Sequence, residues 1–182
     1  MIIVPFRLLS SLATFFRGIM YLVIIMSNNI QKYLDNDPDN PKYLFHGSPI
    51  LLDELLPQQS FDSADNNDNV DKAVFMYPVF YKAVPYALKN GFIYKKEFGE
   101  DSWFETYNRT IDYPYALLNN RDIDMDATGY VYVFEKNNDM IKDENSYQYR
   151  CYHSLKPIDI VKVQMKDYIS LFEIRYSNQK SL

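Results

Sequence analysis

Gly129-Tyr130-Val131-Tyr132-Val133-Phe134 is the stretch on which the fold turns. Valine alternating with ring side chains after a glycine predicts a strand, the clearest in the chain, because β-branched and aromatic residues suit a pleated surface. Toward the C-terminus, residues 147–152, 158–165 and 169–176 show the same preference and predict a sheet-rich second half. Toward the N-terminus lie two apolar runs, Phe92-Ile93-Tyr94 and Trp103-Phe104. Before them come a helix over residues 79–88 with Pro85 as a distortion and a strand at Ala73-Val74-Phe75-Met76-Tyr77. Lys42-Tyr43-Leu44-Phe45-His46 predicts the first strand, stopped by the turn signal Gly47-Ser48-Pro49. Strands dominate, helices concentrate in the first half, and strand and helix do not alternate regularly. The class is therefore α+β rather than doubly wound.

Composition sets the outer limits. With 182 residues, 47% hydrophobic and 16% aromatic, the chain can bury one good core but not two once tails are set aside. Nineteen basic against 24 acidic side chains leave a net charge of -5, without the positive field that accompanies bulk nucleic-acid binding. A lone cysteine, Cys151, excludes an internal disulfide framework and a Cys-rich zinc site, and fits a reducing, cytoplasmic setting. Cys151 and His153 share a strand face, but no third residue at ligand spacing joins them, so no metal is expected. The acidic loop at residues 61–71 lacks the glycine and the terminal glutamate of a calcium loop, and is expected to be a solvated surface loop. Asn108-Arg109-Thr110 matches a glycosylation acceptor, but without a convincing secretion signal the match reads as accidental.

Residues 1–26 are apolar apart from Arg7, Arg17 and a few hydroxyls, and approach the length of a bilayer span. Arg17 splits the run, and a charge at that depth costs roughly 2.5–3.5 kcal/mol on insertion. Translation starting at Met26 is the preferred reading, ahead of a membrane anchor and of a secreted form. Residues 27–41 follow as a lead-in helix and linker, from a cap at Ser27 to the stop at Asp35-Asn36-Asp37-Pro38. The domain proper spans 42–176, with 177–182 as a tail.

Three segments of that domain carry a resemblance. Tyr43-Leu44-Phe45-His46-Gly47-Ser48-Pro49 resembles the first strand of the ADP-ribosyltransferase superfamily, in which a His-Gly pair ends a strand under the nicotinamide. Ala73-Val74-Phe75-Met76-Tyr77 with Lys82-Ala83-Val84-Pro85-Tyr86 is similar to the second motif of poly-ADP-ribose polymerases, Phe75 standing at the motif tyrosine. Tyr147-Gln148-Tyr149-Arg150-Cys151-Tyr152 resembles the third motif, a Glu-Tyr strand, with Gln148 in place of the glutamate. The layout is similar to a small bacterial and viral branch of that superfamily.

The resemblance implies a split antiparallel sheet with helices on its flanks, and NAD as substrate without a metal. It implies that His46 hydrogen-bonds a ribose, that the Gly47 backbone pairs with the nicotinamide amide beside Ser48, and that Phe75 and Tyr86 offer ring faces. Gln148 would occupy the catalytic position. An amide cannot carry the negative charge that stabilises an oxocarbenium-like state, a loss worth about 10²–10³ in rate. Three outcomes stay open: a weak catalyst that still binds NAD or an ADP-ribose ligand, rescue by another carboxylate such as Glu144, or a motif register displaced by a residue or two; the rival reading is a non-catalytic interaction module on the same fold. The acceptor, protein or small molecule, is not readable. On residue type alone, His46, Phe75, Tyr77 and Tyr86 also suit an ordinary core, and Gln148 a plain strand surface.

Overall fold

The computed structural model describes residues 30–59, 72–91, 103–106, 116–119, 123–144 and 146–174. The expectations for the apolar N-terminal segment, Ser27, the acidic loop, residues 92–94, Asn108 and the tail lie outside the described residues. The chain divides into two compact units after Asp35. The described part of the first is one short helix, α1 (residues 30–34), tied off by the Asp35 amide on the Gln31 carbonyl (3.0 Å) and by Gln31 Nε2 on Asp35 Oδ1 (2.7 Å).

The second unit is mixed α and β with little helix. Its strands are β1 (Tyr43–Ser48), β2 (Gln58–Gln59), β3 (Lys72–Met76), β4 (Trp103–Thr106), β5 (Ala116–Asn119), β6 (Thr128–Glu135), β7 (Ile141–Lys142), β8 (Tyr149–Cys151), β9 (Asp159–Gln164) and β10 (Phe172–Ile174). Helices α2 (Phe80–Ala87) and α3 (Met165–Tyr168) complete it, with two short 3-10 turns at Lys89–Gly91 and Ile169–Leu171. Three sheets form, in the orders β1-β6-β9, β2-β3-β8-β7 and β10-β5-β4. Every pairing is antiparallel except β10 with β5.

The valine–aromatic stretch forms the middle of its sheet, pairing with β1 on one side and β9 on the other. Its two faces serve two cores, which is why no polar residue interrupts it. Tyr132 and Phe134 join Leu44, Leu55, Val74, Met76, Met140, Tyr149 and Cys151 on one side. By alternation Gly129, Val131 and Val133 face the other way, toward α2. Each such buried side chain contributes roughly 1.5–3 kcal/mol of transfer free energy, so these two layers dominate the stability of the unit.

Helix α2 has no side-chain cap, and its apolar residues Phe80, Ala83, Val84 and Ala87 recur at helical spacing. Packing rather than capping holds it, and Pro85 sits inside without ending it. Ala83 and Ala87, one turn apart, lie over two glycines. A Cβ on Gly47 would fall 1.9 Å from the Ala83 carbonyl oxygen, and one on Gly129 1.9 Å from that of Ala87. Helix and sheet therefore meet backbone to backbone, and the missing side chain at 47 is first of all a packing requirement.

Several boundaries differ from the sequence expectation. Strand β1 runs on through Gly47 and Ser48, where a turn was expected, because Val131 and Tyr130 pair with them. Residues 169–171 form a turn before β10 rather than a strand, and β2, β5 and β7 were not foreseen. Asn36, read only as part of a helix stop, is a clamp: Nδ2 donates to the carbonyls of Tyr43 (2.9 Å) and Pro78 (2.6 Å), and Oδ1 accepts from the amides of Lys42 and Tyr43 (3.0 Å each). One short polar side chain thus fixes the start of β1 against the end of β3. Among the described residues no helix is long and apolar enough to cross a membrane.

Candidate functional site

Strands β1 and β3 touch at one point. Phe45 and Tyr77 exchange both backbone hydrogen bonds (2.8 Å each), and no further bridge joins the two strands. Beyond it they part, so that β2-β3-β8-β7 and β1-β6-β9 are separate sheets that touch at a single bridge. The edge of β3 is taken up again only at Ala73, which pairs with Gln58 of β2. Between Tyr77 and Ala73 lies Phe75, whose backbone groups point to that same edge by alternation.

His46 closes this gap. Its Nδ1 lies 2.7 Å from the Phe75 carbonyl oxygen, which a continuing ladder would have occupied with an amide. A carbonyl accepts only, so Nδ1 carries the proton and Nε2 is left as the basic nitrogen of a neutral ring. Burial holds the His46 pKa below its ordinary 6.5; the Phe75 carbonyl opposes that shift and the Lys89 charge adds to it. The ring packs 6.2 Å from Tyr132, centroid to centroid.

Gly47 follows the same alternation as Phe45. With Phe45 bonded to Tyr77, Gly47 turns its N–H and C=O toward the split edge, past the last bridge. The side-chain side of Gly47 is filled by α2, so what this residue offers at the split is its amide edge. Ser48 Oγ accepts from the Ile50 amide (3.2 Å) and so shapes the turn that follows.

A second row of groups crosses β3 on the α2 side. Gln148 precedes β8 and stands opposite Tyr77, since Met76 pairs with Tyr149. Gln148 Nε2 donates to Tyr77 Oη (2.7 Å), and Tyr77 Oη lies 2.7 Å from Tyr86 Oη of α2. The Tyr77 and Tyr86 rings stack at 5.5 Å and 22°. The Tyr77 hydroxyl accepts from Gln148 and shares one further hydrogen bond with the Tyr86 hydroxyl, in which either oxygen can be the donor. Phe75 sits apart, beneath the Arg150 guanidinium at 5.7 Å, and Arg150 is paired with Asp143.

Of the residues singled out by sequence, then, Gln148 and Tyr86 come together through Tyr77, while His46 meets the backbone of Phe75. The Phe75 ring joins neither group. Glu144 is exposed in the turn between β7 and β8. Tyr77 is the residue that sequence reasoning undervalues: on residue type it suits an ordinary core, and only its alternation with Phe75 along one strand face could have set it apart. Lys82 was likewise passed over, although its side chain is fully buried in α2 and burial lowers its pKa to about 8. Cys151 is buried and His153 exposed, and among the described residues no three His, Cys, Asp or Glu side chains gather as metal ligands. Comparison with protein-family models, curated proteins and solved structures finds no match to this chain.

Proposed function

We propose that the second unit is an ADP-ribosyltransferase-like domain that binds NAD or a related ADP-ribose ligand at the split between β1 and β3, with transfer weakened by Gln148. The observation that carries this reading is the row Gln148–Tyr77–Tyr86 beside the single Phe45–Tyr77 bridge. The row joins segments far apart in sequence: the residue before β8, the residue after β3 and helix α2. Gly47 adds an outward N–H and C=O, a donor–acceptor pair matching the two functions of a primary carboxamide such as that of nicotinamide. His46 adds a basic Nε2 able to accept from a ribose hydroxyl.

The same row favours binding over turnover. Cleaving a nicotinamide–ribose bond builds positive charge on the ribose, and the Gln148 amide offers a dipole where a carboxylate would offer a full charge. A non-catalytic interaction module on this fold is the second reading, and Gln148 is the residue that favours it.

Thermal denaturation of the full chain with NAD, nicotinamide and ADP-ribose tests the proposal. A ligand that binds only the folded state stabilises by about 2.7 kcal/mol at a hundred times its Kd, a rise of several degrees in Tm. A saturable rise is expected with NAD or ADP-ribose, reduced in His46→Ala, and Gln148→Glu is expected to raise NAD cleavage. Should no ligand shift the transition at millimolar concentration and Gln148→Glu stay inert, the site is not a dinucleotide site.

A further inference from the structure

Eight large hydrophobic side chains are exposed among the described residues, and six of them belong to two short segments. Ile50, Leu51, Leu52 and Leu56 follow β1; Tyr152 and Ile158 follow β8. The segments are laced together where Leu55 and Leu155 exchange both backbone hydrogen bonds (2.9 Å each) and turn inward against the core. Their neighbours point out, with exposures from 37% at Leu52 to 61% at Ile50 and Leu56.

This apolar surface is held in place by a buried polar group. Tyr132 Oη donates to the Ile50 carbonyl (2.6 Å) and accepts from the Leu52 amide (2.7 Å), fixing the loop at the point where it presents Ile50, Leu51 and Leu52 to solvent. An ordered loop has little entropy left to lose on association. Large apolar side chains gathered on one exposed face mark an association surface rather than an ordinary monomer surface.

Charge identifies the partner. The first segment carries Asp53 and Glu54, the second Lys156, all three exposed. A two-fold axis through the patch lays the first segment of one copy over the second segment of the other, so acidic faces basic twice while leucine meets isoleucine and tyrosine. We propose that this face is the interface of a homodimer, a second copy of the chain being the occupant that satisfies both the apolar area and the paired charges.

Sedimentation equilibrium of the full chain tests it. The wild type is expected to dimerise, and Leu51→Glu and Leu56→Glu to weaken association roughly tenfold or more, as for a central apolar contact. Ile141→Glu, an exposed apolar position outside the patch, should leave it unchanged. Asp53→Lys and Lys156→Asp should each weaken the dimer, and the double variant should return it to within about threefold of wild type, because the pair couples across the axis. A monomer at every concentration, which would leave the patch to a different protein or a lipid surface, overturns the proposal. So does a dimer indifferent to Leu51→Glu, or a double charge variant weaker than either single one.

Discussion

Strand β1 is held in two unlike ways, and the contrast shows where this fold tolerates change. Around Phe45 and Gly47 it lies under α2, backbone against backbone, with no room for a methyl group. Past Ser48 the chain emerges into the loop at 50–56, held by two hydrogen bonds to one tyrosine and exposing four large apolar side chains. The first contact is steric and close to all-or-none; the second is polar and graded. Gly47→Ala and Gly129→Ala are therefore expected to cost about 3 kcal/mol or more, each driving a Cβ into a helix carbonyl that cannot move without α2. Leu51→Ala, measured at a concentration low enough to keep the chain monomeric, is expected to stay within about 0.5 kcal/mol. Urea denaturation measures both, and a Gly47→Ala variant as stable as Leu51→Ala would erase the contrast.

Lys82 sharpens the helix side of the comparison. Its amine is buried in the same helix, with a pKa lowered from 10.5 to about 8 by desolvation. A folded-state pKa below the unfolded value means that the unfolded chain holds its proton longer, so stability rises with pH between about 8 and 10.5. At 1.36 kcal/mol per pKa unit the full rise is on the order of 3 kcal/mol. Denaturation at pH 7 and pH 9.5 should reveal much of this gain in the wild type and little of it in Lys82→Met. Equal slopes in the two proteins would show that the amine reaches water.

How much of this was legible in the sequence follows the same division. The strands at 43–48, 72–76, 128–135 and 159–164 and helix α2 announce themselves, because local periodicity reports local burial. The α+β class follows from them. The close seat of α2 on Gly47 and Gly129 did not, since a glycine in sequence does not say what fills the space beside it. Neither did β2, β5 and β7, which are only two to four residues long and too short to show a period. In the candidate site, His46, Tyr86 and Gln148 were readable as motif positions, whereas Tyr77, the group that joins two of them, looked like core. Its role depends on a register between β3 and β8 that only the fold supplies.

On the loop side, Tyr132→Phe tests the polar clamp. It keeps the ring in its core and removes the hydroxyl that serves both Ile50 and Leu52. The expected cost is about 1–2 kcal/mol, since the two backbone groups it abandons lie in a partly exposed loop where water can replace the lost bonds. Hydrogen exchange at the Leu52 amide should accelerate by a larger factor than at core amides. A uniform change across the domain would mean that the hydroxyl supports the whole sheet rather than the loop.

His46 stands between the two regimes and should show the smallest effect. Its ring bonds the carbonyl that the split between β1 and β3 leaves without a ladder partner, and burial keeps it neutral. The folded-state pKa lies below the 6.5 of the unfolded chain, so the ring's contribution is fully present above about pH 6.5 and is lost as pH falls through the folded value. Protonation still leaves an N–H to donate from Nδ1 to Phe75; what the acid form costs is desolvation of a cation and its repulsion by Lys89. Stability should therefore decline between pH 7 and pH 5 in the wild type, and that part of the decline should be missing in His46→Ala, which starts from a lower value because the Phe75 carbonyl has lost its donor. A wild type whose stability is flat over this range would mean that the ring titrates as freely in the fold as outside it, and that the split edge of β3 is wetter than the geometry implies.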